Sequence, residues 1–161
     1  MRKLLLIITI FTIVSCGKNQ TKINDVINTS VGIYYTDNLN RDLLDTNIVN
    51  SYRYSNLKHY YLNKNMQKVE IYKPNLDYPK LVYIHKVTST NKYILNLEPY
   101  IDELNIGTDT ITSILSLNGL TTDTVSFEIN STDNIIETTK IWYNRVLKYS
   151  GNGVKEFTIV K

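Results

Sequence analysis

Two histidines and several carboxylates are the residues of this 161-residue chain best suited to acid–base or metal chemistry. Histidine is the commonest metal ligand and titrates near neutral pH. His59 and His85 each stand inside a strand-like run, with no cysteine, acid or second histidine at ligand spacing. No nucleophile elbow, phosphate loop, dinucleotide fingerprint or zinc-protease motif accompanies them. We therefore expect structural or surface roles for both, and no catalytic residue, metal or cofactor.

Paired carboxylates could still hydrolyse a glycosidic bond without a motif, provided that the fold brings them within about 5–10 Å. The candidate pairs are Asp42 with Asp45, Asp102 with Glu103, and Asp109 with Asp123. Asn38, Asn40 and Asp42 alternate like the start of a calcium loop, but the glycine and terminal glutamate of such a loop are missing. The sequence therefore predicts no calcium site and leaves a carboxylate hydrolase as an alternative function.

Tyrosine is strongly over-represented, with thirteen tyrosines against three phenylalanines. A tyrosine offers a flat apolar face and a hydroxyl group, which suits recognition of a sugar or a protein. Six of them crowd the N-terminal half: Tyr34, Tyr35, Tyr52, Tyr54, Tyr60 and Tyr61. In a strand, each doublet places one ring on either face. We therefore expect some of these rings in the core and the others on a binding surface.

The N-terminus has the pattern of an export signal. Arg2 and Lys3 precede an apolar or near-apolar run over residues 4–14. Eleven residues match a signal core of about 7–15 residues and are too few for a spanning helix of roughly 20. Cys16 follows as the only cysteine, which excludes an intramolecular disulfide and a thiol metal cluster.

The run Ile13-Val14-Ser15-Cys16 resembles the lipobox of bacterial lipoproteins. The resemblance implies cleavage between Ser15 and Cys16 and acyl chains on Cys16, which anchor the protein to a membrane. Two chains hold a domain stably, whereas one binds only marginally. Gly17 is not an aspartate and no acidic cluster follows it. In that family, these features imply an outer-membrane protein facing the periplasm.

The leader and the Asn- and Tyr-rich body are similar to small lipoproteins of the Bacteroidetes type, which carry an immunoglobulin-like or transthyretin-like sandwich. Two short segments, Asp109-Thr110-Ile111 and Asp123-Thr124-Val125, resemble the O-glycosylation acceptor of exported proteins in the same group. That resemblance implies Thr110 and Thr124 as candidate modification sites.

Composition favours strands and excludes a nucleic-acid footprint. Alanine is absent, while Ile, Val, Thr and Tyr, which suit a pleated sheet, are abundant. Without residues 1–15, sixteen basic and fifteen acidic residues remain, scattered along the chain. No basic patch for nucleic acid or for a membrane surface results.

Short apolar runs recur about every ten residues from Val31, separated by turn-forming residues, as in a β-sandwich. The predicted strands are 32–36, 56–62, 68–73, 81–87, 92–97, 110–117, 124–130, 137–143 and 156–160. Pro99 could begin a short connector helix that Gly107 ends. The sequence thus predicts an all-β protein: a signal peptide over 1–15, a lipidated tether over 16–30, and a single antiparallel β-sandwich of about 7–9 strands over 31–161, with at most one short helix. A domain boundary between Pro74 and Pro79 is the alternative.

Three functions remain open on the sequence alone. The first is a non-catalytic envelope lipoprotein that binds a protein or glycan partner or assists a larger assembly. The second is the carboxylate hydrolase, and the third is an immunity-type lipoprotein that inhibits a toxin.

Overall fold

The computed structural model describes residues 26–102, 104, 107–119, 121–132 and 134–161. The predicted signal peptide, with Ser15 and Cys16, lies outside these residues. The described chain contains eleven strands and one turn of 3-10 helix at Tyr54–Asn56. The strands are β1 (Val26–Asn28), β2 (Val31–Thr36), β3 (Lys58–Leu62), β4 (Lys68–Glu70), β5 (Val82–Val87), β6 (Lys92–Leu97), β7 (Gly107–Ser116), β8 (Thr122–Ser131), β9 (Ile135–Tyr143), β10 (Val146–Ser150) and β11 (Glu156–Val160).

These strands form two sheets. The larger has the order β1-β9-β8-β7-β3-β4, with β10 also paired to β9, and the smaller has the order β11-β2-β6-β5. Two pairs, β1 with β9 and β11 with β2, run parallel, and the other pairs run antiparallel. The predicted all-β sandwich is confirmed. Its sheets are mixed rather than wholly antiparallel, and the described residues supply more strands than predicted.

The core lies between the two sheets because each contributes one apolar face. In β8, Val125, Phe127 and Ile129 are buried while the residues between them are half-exposed, as the alternation predicts. Ile33 of β2 and Leu95 of β6 join the same buried cluster from the smaller sheet. Burying one such side chain contributes about 1.5–3 kcal/mol to stability.

The chain is ordered before the predicted start of the domain. Residues 26–30 form β1 and its connection to β2 instead of belonging to the tether. Thr29 is buried, and its carbonyl oxygen accepts a hydrogen bond from the Thr138 hydroxyl at 3.0 Å. The sequence also missed β10.

The predicted connector helix is wrong. The residues described between Pro99 and Leu104 are not helical, and Gly107 is the first residue of β7 instead of a helix stop. The boundary considered between Pro74 and Pro79 does not divide the core, because one buried cluster includes residues from both sides of that segment. Among the described residues, no helix is long and apolar enough to cross a bilayer.

Candidate functional site

Three tyrosines from three separate segments line one open hollow. Tyr54 comes from the 3-10 turn before β3, Tyr78 from the loop between β4 and β5, and Tyr83 from β5 itself. Asp77 and Ile84 complete the lining, and the volume is about 240 Å³. The rings of Tyr78 and Tyr83 stack, with their centroids 4.3 Å apart. We refer to this site as the tyrosine hollow.

The tyrosine hollow runs along the outer edge of β5, the last strand of the smaller sheet. Successive residues of a strand point to opposite faces of its sheet. Ile84 packs against the core, so its neighbour Tyr83 points away from the core. Both residues line the hollow. A hollow that touches both faces of β5 must lie beside the strand, where β5 has no sheet neighbour.

The side chains of the hollow combine apolar rings with hydrogen-bonding groups. Burial raises the pKa of Tyr54, and the nearby Tyr72 raises it further. Burial, followed by Glu98 and Tyr78, raises the pKa of Tyr83. Both phenols therefore keep their protons at neutral pH and can donate hydrogen bonds, whereas the carboxylate of Asp77 can accept them.

Lys80 and His59 hold the wall of the hollow in place. The ammonium of Lys80 donates to the carbonyl oxygens of Tyr54 at 3.0 Å and Leu57 at 2.7 Å, and lies 4.6 Å from the centre of the Tyr54 ring. The Lys80 carbonyl oxygen lies 2.8 Å from Nδ1 of the buried His59. A carbonyl only accepts, so Nδ1 donates, and neutral Nε2 accepts from the Ser113 hydroxyl at 2.9 Å. His59 is thus a structural support.

The turn that folds Tyr78 back over Tyr83 is strained. Leu81 has a φ of +53°, a left-handed conformation that costs a residue other than glycine about 1–2 kcal/mol. Its amide donates to the Tyr78 carbonyl at 2.9 Å. Its carbonyl accepts from the Glu98 amide at 2.9 Å, which fixes the start of β5 against the end of β6.

A second, more polar hollow lies near the end of β3. Tyr61 and Tyr100 stack there with their centroids 4.1 Å apart. Polar residues, among them Asn63 and Asp109, share the lining, and the volume is about 200 Å³. Thr110, one of the two candidate glycosylation sites, is exposed in this lining.

Acids from two of the predicted carboxylate pairs make structural contacts. Both oxygens of Asp42 accept from backbone amides, those of Leu44 at 2.9 Å and Tyr93 at 2.6 Å. Asp45 accepts from the amide of Asn47 at 3.0 Å. These bonds make both acids turn-forming residues. In the other pair, Asp102 binds Lys73 at 2.6 Å, and Glu103 lies outside the described residues.

The third predicted pair is far apart. Asp109 stands opposite Ile129 and Asp123 opposite Leu115 in the β7–β8 pairing, so six residues of β7, about 20 Å, separate the two acids. Asp123 is buried and binds the Lys161 ammonium at 2.5 Å. The pair cannot act on one bond. No group of three potential metal ligands occurs within the described ranges.

The remaining sequence candidates are scattered over the sandwich. His85 is exposed on β5, with Nδ1 at 3.0 Å from the Asn96 side-chain amide. Thr124 is half-buried on β8, and its neighbour Asp123 is buried, so the second glycosylation motif is not displayed as a unit.

Sequence reasoning identified only one residue of the tyrosine hollow, Tyr54. Tyr78 and Tyr83 lie outside the N-terminal cluster that the composition singled out. The signal that could have found them is the short segment between Pro74 and Pro79, for which the sequence offered a domain boundary as the alternative. Asp77 and Tyr78 of this segment line the hollow.

Searches with family models, with curated proteins and with solved structures found no match to this chain.

Proposed function

We propose that this chain is a non-catalytic, membrane-anchored lipoprotein that binds a protein partner at the tyrosine hollow. The observation that carries the proposal is the convergence of Tyr54, Tyr78 and Tyr83 on one open hollow. Tyrosine is enriched among the residues that dominate protein–protein binding energy. In this arrangement, the rings supply contact area and their hydroxyls supply directional hydrogen bonds.

The surroundings of the hollow support a protein surface as the partner. Tyr72 and Leu76, in the same loop, are 66% and 45% exposed, and Tyr78 itself is 48% exposed. Neighbouring exposed apolar side chains with polar residues around them are typical of interaction sites. Charged residues interrupt this loop: Lys73, Asp77 and Lys80.

The size of the hollow also favours a macromolecule. Sites for drug-sized ligands and cofactors usually enclose about 300–1,000 Å³. The tyrosine hollow offers about 240 Å³ and is open to solvent. It therefore suits one anchoring side chain of a larger partner better than an enclosed small molecule.

The anchor in this proposal is the acylated Cys16, supported by the lipobox-like run that ends there. Acyl chains would concentrate the domain at the membrane surface, where even a modest protein contact gains effective concentration. An immunity-type inhibitor of a toxin is one form that such a protein contact can take.

A glycan is the second candidate partner, and it is favoured by the other hollow. Stacked Tyr61 and Tyr100 beside Asn63 and Asp109 combine an aromatic surface with hydrogen-bonding groups. This combination suits a sugar ring. Binding to a glycan array that Tyr100→Ser abolishes and Tyr78→Ser leaves unchanged would favour this candidate over a protein partner.

Site-specific photo-crosslinking in the native host tests the protein-binding proposal. A photoreactive phenylalanine replaces Tyr78 at the hollow, and, as a matched control, Leu147, which is 52% exposed on β10. We expect a discrete protein adduct from position 78 and none from position 147. Tyr83→Ser should weaken that adduct. Absence of an adduct at position 78, or the same adduct at both positions, would overturn the proposal.

A further inference from the structure

We propose that the partner supplies an extended segment that pairs with the free edge of β5 as an additional strand, with one of its side chains in the tyrosine hollow. This inference rests on the proposed protein-binding function and specifies the form of the partner. Strand addition to an open sheet edge gives affinity through main-chain hydrogen bonds and selectivity through side-chain pockets.

The hydrogen-bond pattern of the β5–β6 hairpin shows which backbone groups are available. The Glu98 amide donates to the Leu81 carbonyl, so this opposed pair is hydrogen-bonded. In an antiparallel ladder, hydrogen-bonded and non-bonded pairs alternate. Tyr83 and His85, which are two and four residues further on, therefore direct their backbone groups toward β6. Ile84, between them, directs its amide and carbonyl away from the sheet, and so does Lys86.

These outward groups have no partner within the described part of the chain. β5 pairs with β6 alone and is the last strand of its sheet. The backbone groups of Ile84 and Lys86 make no hydrogen bond to a described loop or side chain. Two amides and two carbonyls thus stand in a row at the spacing that an extended backbone matches.

Three of the other outer strands, β4, β1 and β10, carry features that commonly protect a sheet edge. β4 has three residues, two of them charged, Lys68 and Glu70. β1 is equally short, and the Asn28 carbonyl accepts from the Lys155 ammonium at 3.0 Å. β10 has a shifted register between Leu147 and Tyr149. β11 faces β10 across a groove that residues of both strands line. β5 has six residues and a regular register, and it adjoins the tyrosine hollow.

The side chains along the edge indicate the chemistry of the segment. An apolar or aromatic side chain fits against the stacked rings of Tyr78 and Tyr83 in the hollow. Lys86 is exposed further along β5, whereas the Lys80 ammonium at the opposite end already binds the carbonyl oxygens of Tyr54 and Leu57. An acidic residue near the Lys86 end of the segment would complement that charge.

A second copy of this chain is the less suitable occupant. Two β5 strands pairing with each other would bring two copies of Lys86 and of Lys80 to one junction. Like charges that face each other across a strand pair are destabilising. An acidic, apolar segment of a different protein avoids this repulsion.

A library of random linear twelve-residue peptides displayed on phage, selected on the full chain purified in detergent, provides the probe. We expect enriched peptides in which apolar residues alternate with polar ones and an acid lies near one end. A synthesised peptide should slow amide hydrogen exchange at Ile84 and Lys86. Exchange at Tyr83 and His85, whose amides already bind β6, should change little.

Two substitutions at one position test the role of the backbone. Lys86→Pro removes an outward amide while keeping the β5–β6 ladder, since proline is tolerated at strand edges. Lys86→Gln removes the charge and keeps the amide. We expect a loss of peptide affinity of about tenfold or more for Lys86→Pro and less than about threefold for Lys86→Gln. Thermal melts establish that both variants fold, and the exchange measurement on the unmodified chain tests the same point without a substitution.

The outcomes distinguish this inference from the proposed function. A peptide that binds without new protection at Ile84 and Lys86, or equally well to both Lys86 variants, overturns strand addition. Light scattering that shows a dimer of this chain, dissociated by Lys86→Pro, would also overturn the inference, because β5 would then pair with β5 of a second copy. If the crosslink from position 78 persists in these cases, protein binding stands and only the strand pairing fails. Loss of the crosslink from position 78 would overturn both the protein-binding proposal and the strand pairing.

Discussion

At the scale of single residues, His59 connects the stability of the fold to the shape of the tyrosine hollow. Burial lowers the pKa of His59 from 6.5 to about 4 in the folded protein. Between these values, the unfolded chain binds a proton that the folded chain does not. The contribution of His59 to the free energy of unfolding is therefore fully present above pH 6.5. It falls by roughly 3 kcal/mol as the pH drops toward 4.

Urea denaturation of the wild type and of His59→Gln at a series of pH values measures this contribution. Glutamine does not titrate. From pH 7.5 to pH 4, the wild type should therefore lose roughly 3 kcal/mol more unfolding free energy than His59→Gln loses. The change with pH is the readout, because the substitution also alters packing at every pH. Parallel profiles for the two proteins would contradict the prediction.

The residue scale also shows the limits of sequence patterns. The expectation of a structural or surface role for each histidine needs only local spacing, which a sequence displays; His59 is buried and His85 is exposed. Composition indicated tyrosines as binding residues but could not locate them. Tyr35 is buried in the core, whereas Tyr78 forms the hollow because Leu81 turns its loop back over β5. Convergence of distant segments is a tertiary property that one sequence does not display.

At the scale of elements, Gly32 in β2 lies close to side chains of the two neighbouring strands of the smaller sheet. A Cβ atom at this position would lie 2.4 Å from Cδ1 of the buried Ile94 and 2.9 Å from Cγ of Glu156. We expect Gly32→Val to lower the free energy of unfolding by about 1–3 kcal/mol, the usual cost of overpacking.

Gly153 provides the control for this prediction, because a Cβ atom there meets nothing within 4 Å. Gly153→Ala should therefore stay within about 0.5 kcal/mol of the wild type. Chemical denaturation of the wild type, Gly32→Val and Gly153→Ala measures their free energies of unfolding. Equal stability of Gly32→Val and Gly153→Ala would show that β2 accommodates a side chain at this position.

Most strands could be predicted from their alternation, and the exceptions have physical causes. β8 repeats apolar and polar residues over its length, so its position follows from the sequence. β1 has three exposed residues and is held by pairing with β9, which no local pattern reveals. The segment after Pro99 carries helix-start signals, but tertiary context overrides them and the chain enters β7 at Gly107.

At the scale of the whole molecule, the proposal of a lipid anchor depends on Cys16. We expect the protein purified from its native host to begin at an acylated Cys16. Cys16→Ser should abolish incorporation of labelled palmitate and move the protein into the aqueous phase on detergent phase separation, because its acyl chains are lost. Ser15→Ala keeps a small residue before the cysteine and should retain the label. A mature protein with Met1 and a free sulfhydryl would contradict the anchor.

The parallel pairing of β11 with β2 has a consequence for how the protein is made. Glu156 stands opposite Gly32, so this pair joins segments more than a hundred residues apart in the chain. Contacts of such long range form slowly, and a chain made from its N-terminus lacks β11 until more than a hundred residues have been added after β2. Until then, one side of β2 has no neighbour. Newly made molecules are therefore most prone to aggregate in the interval before β11 arrives.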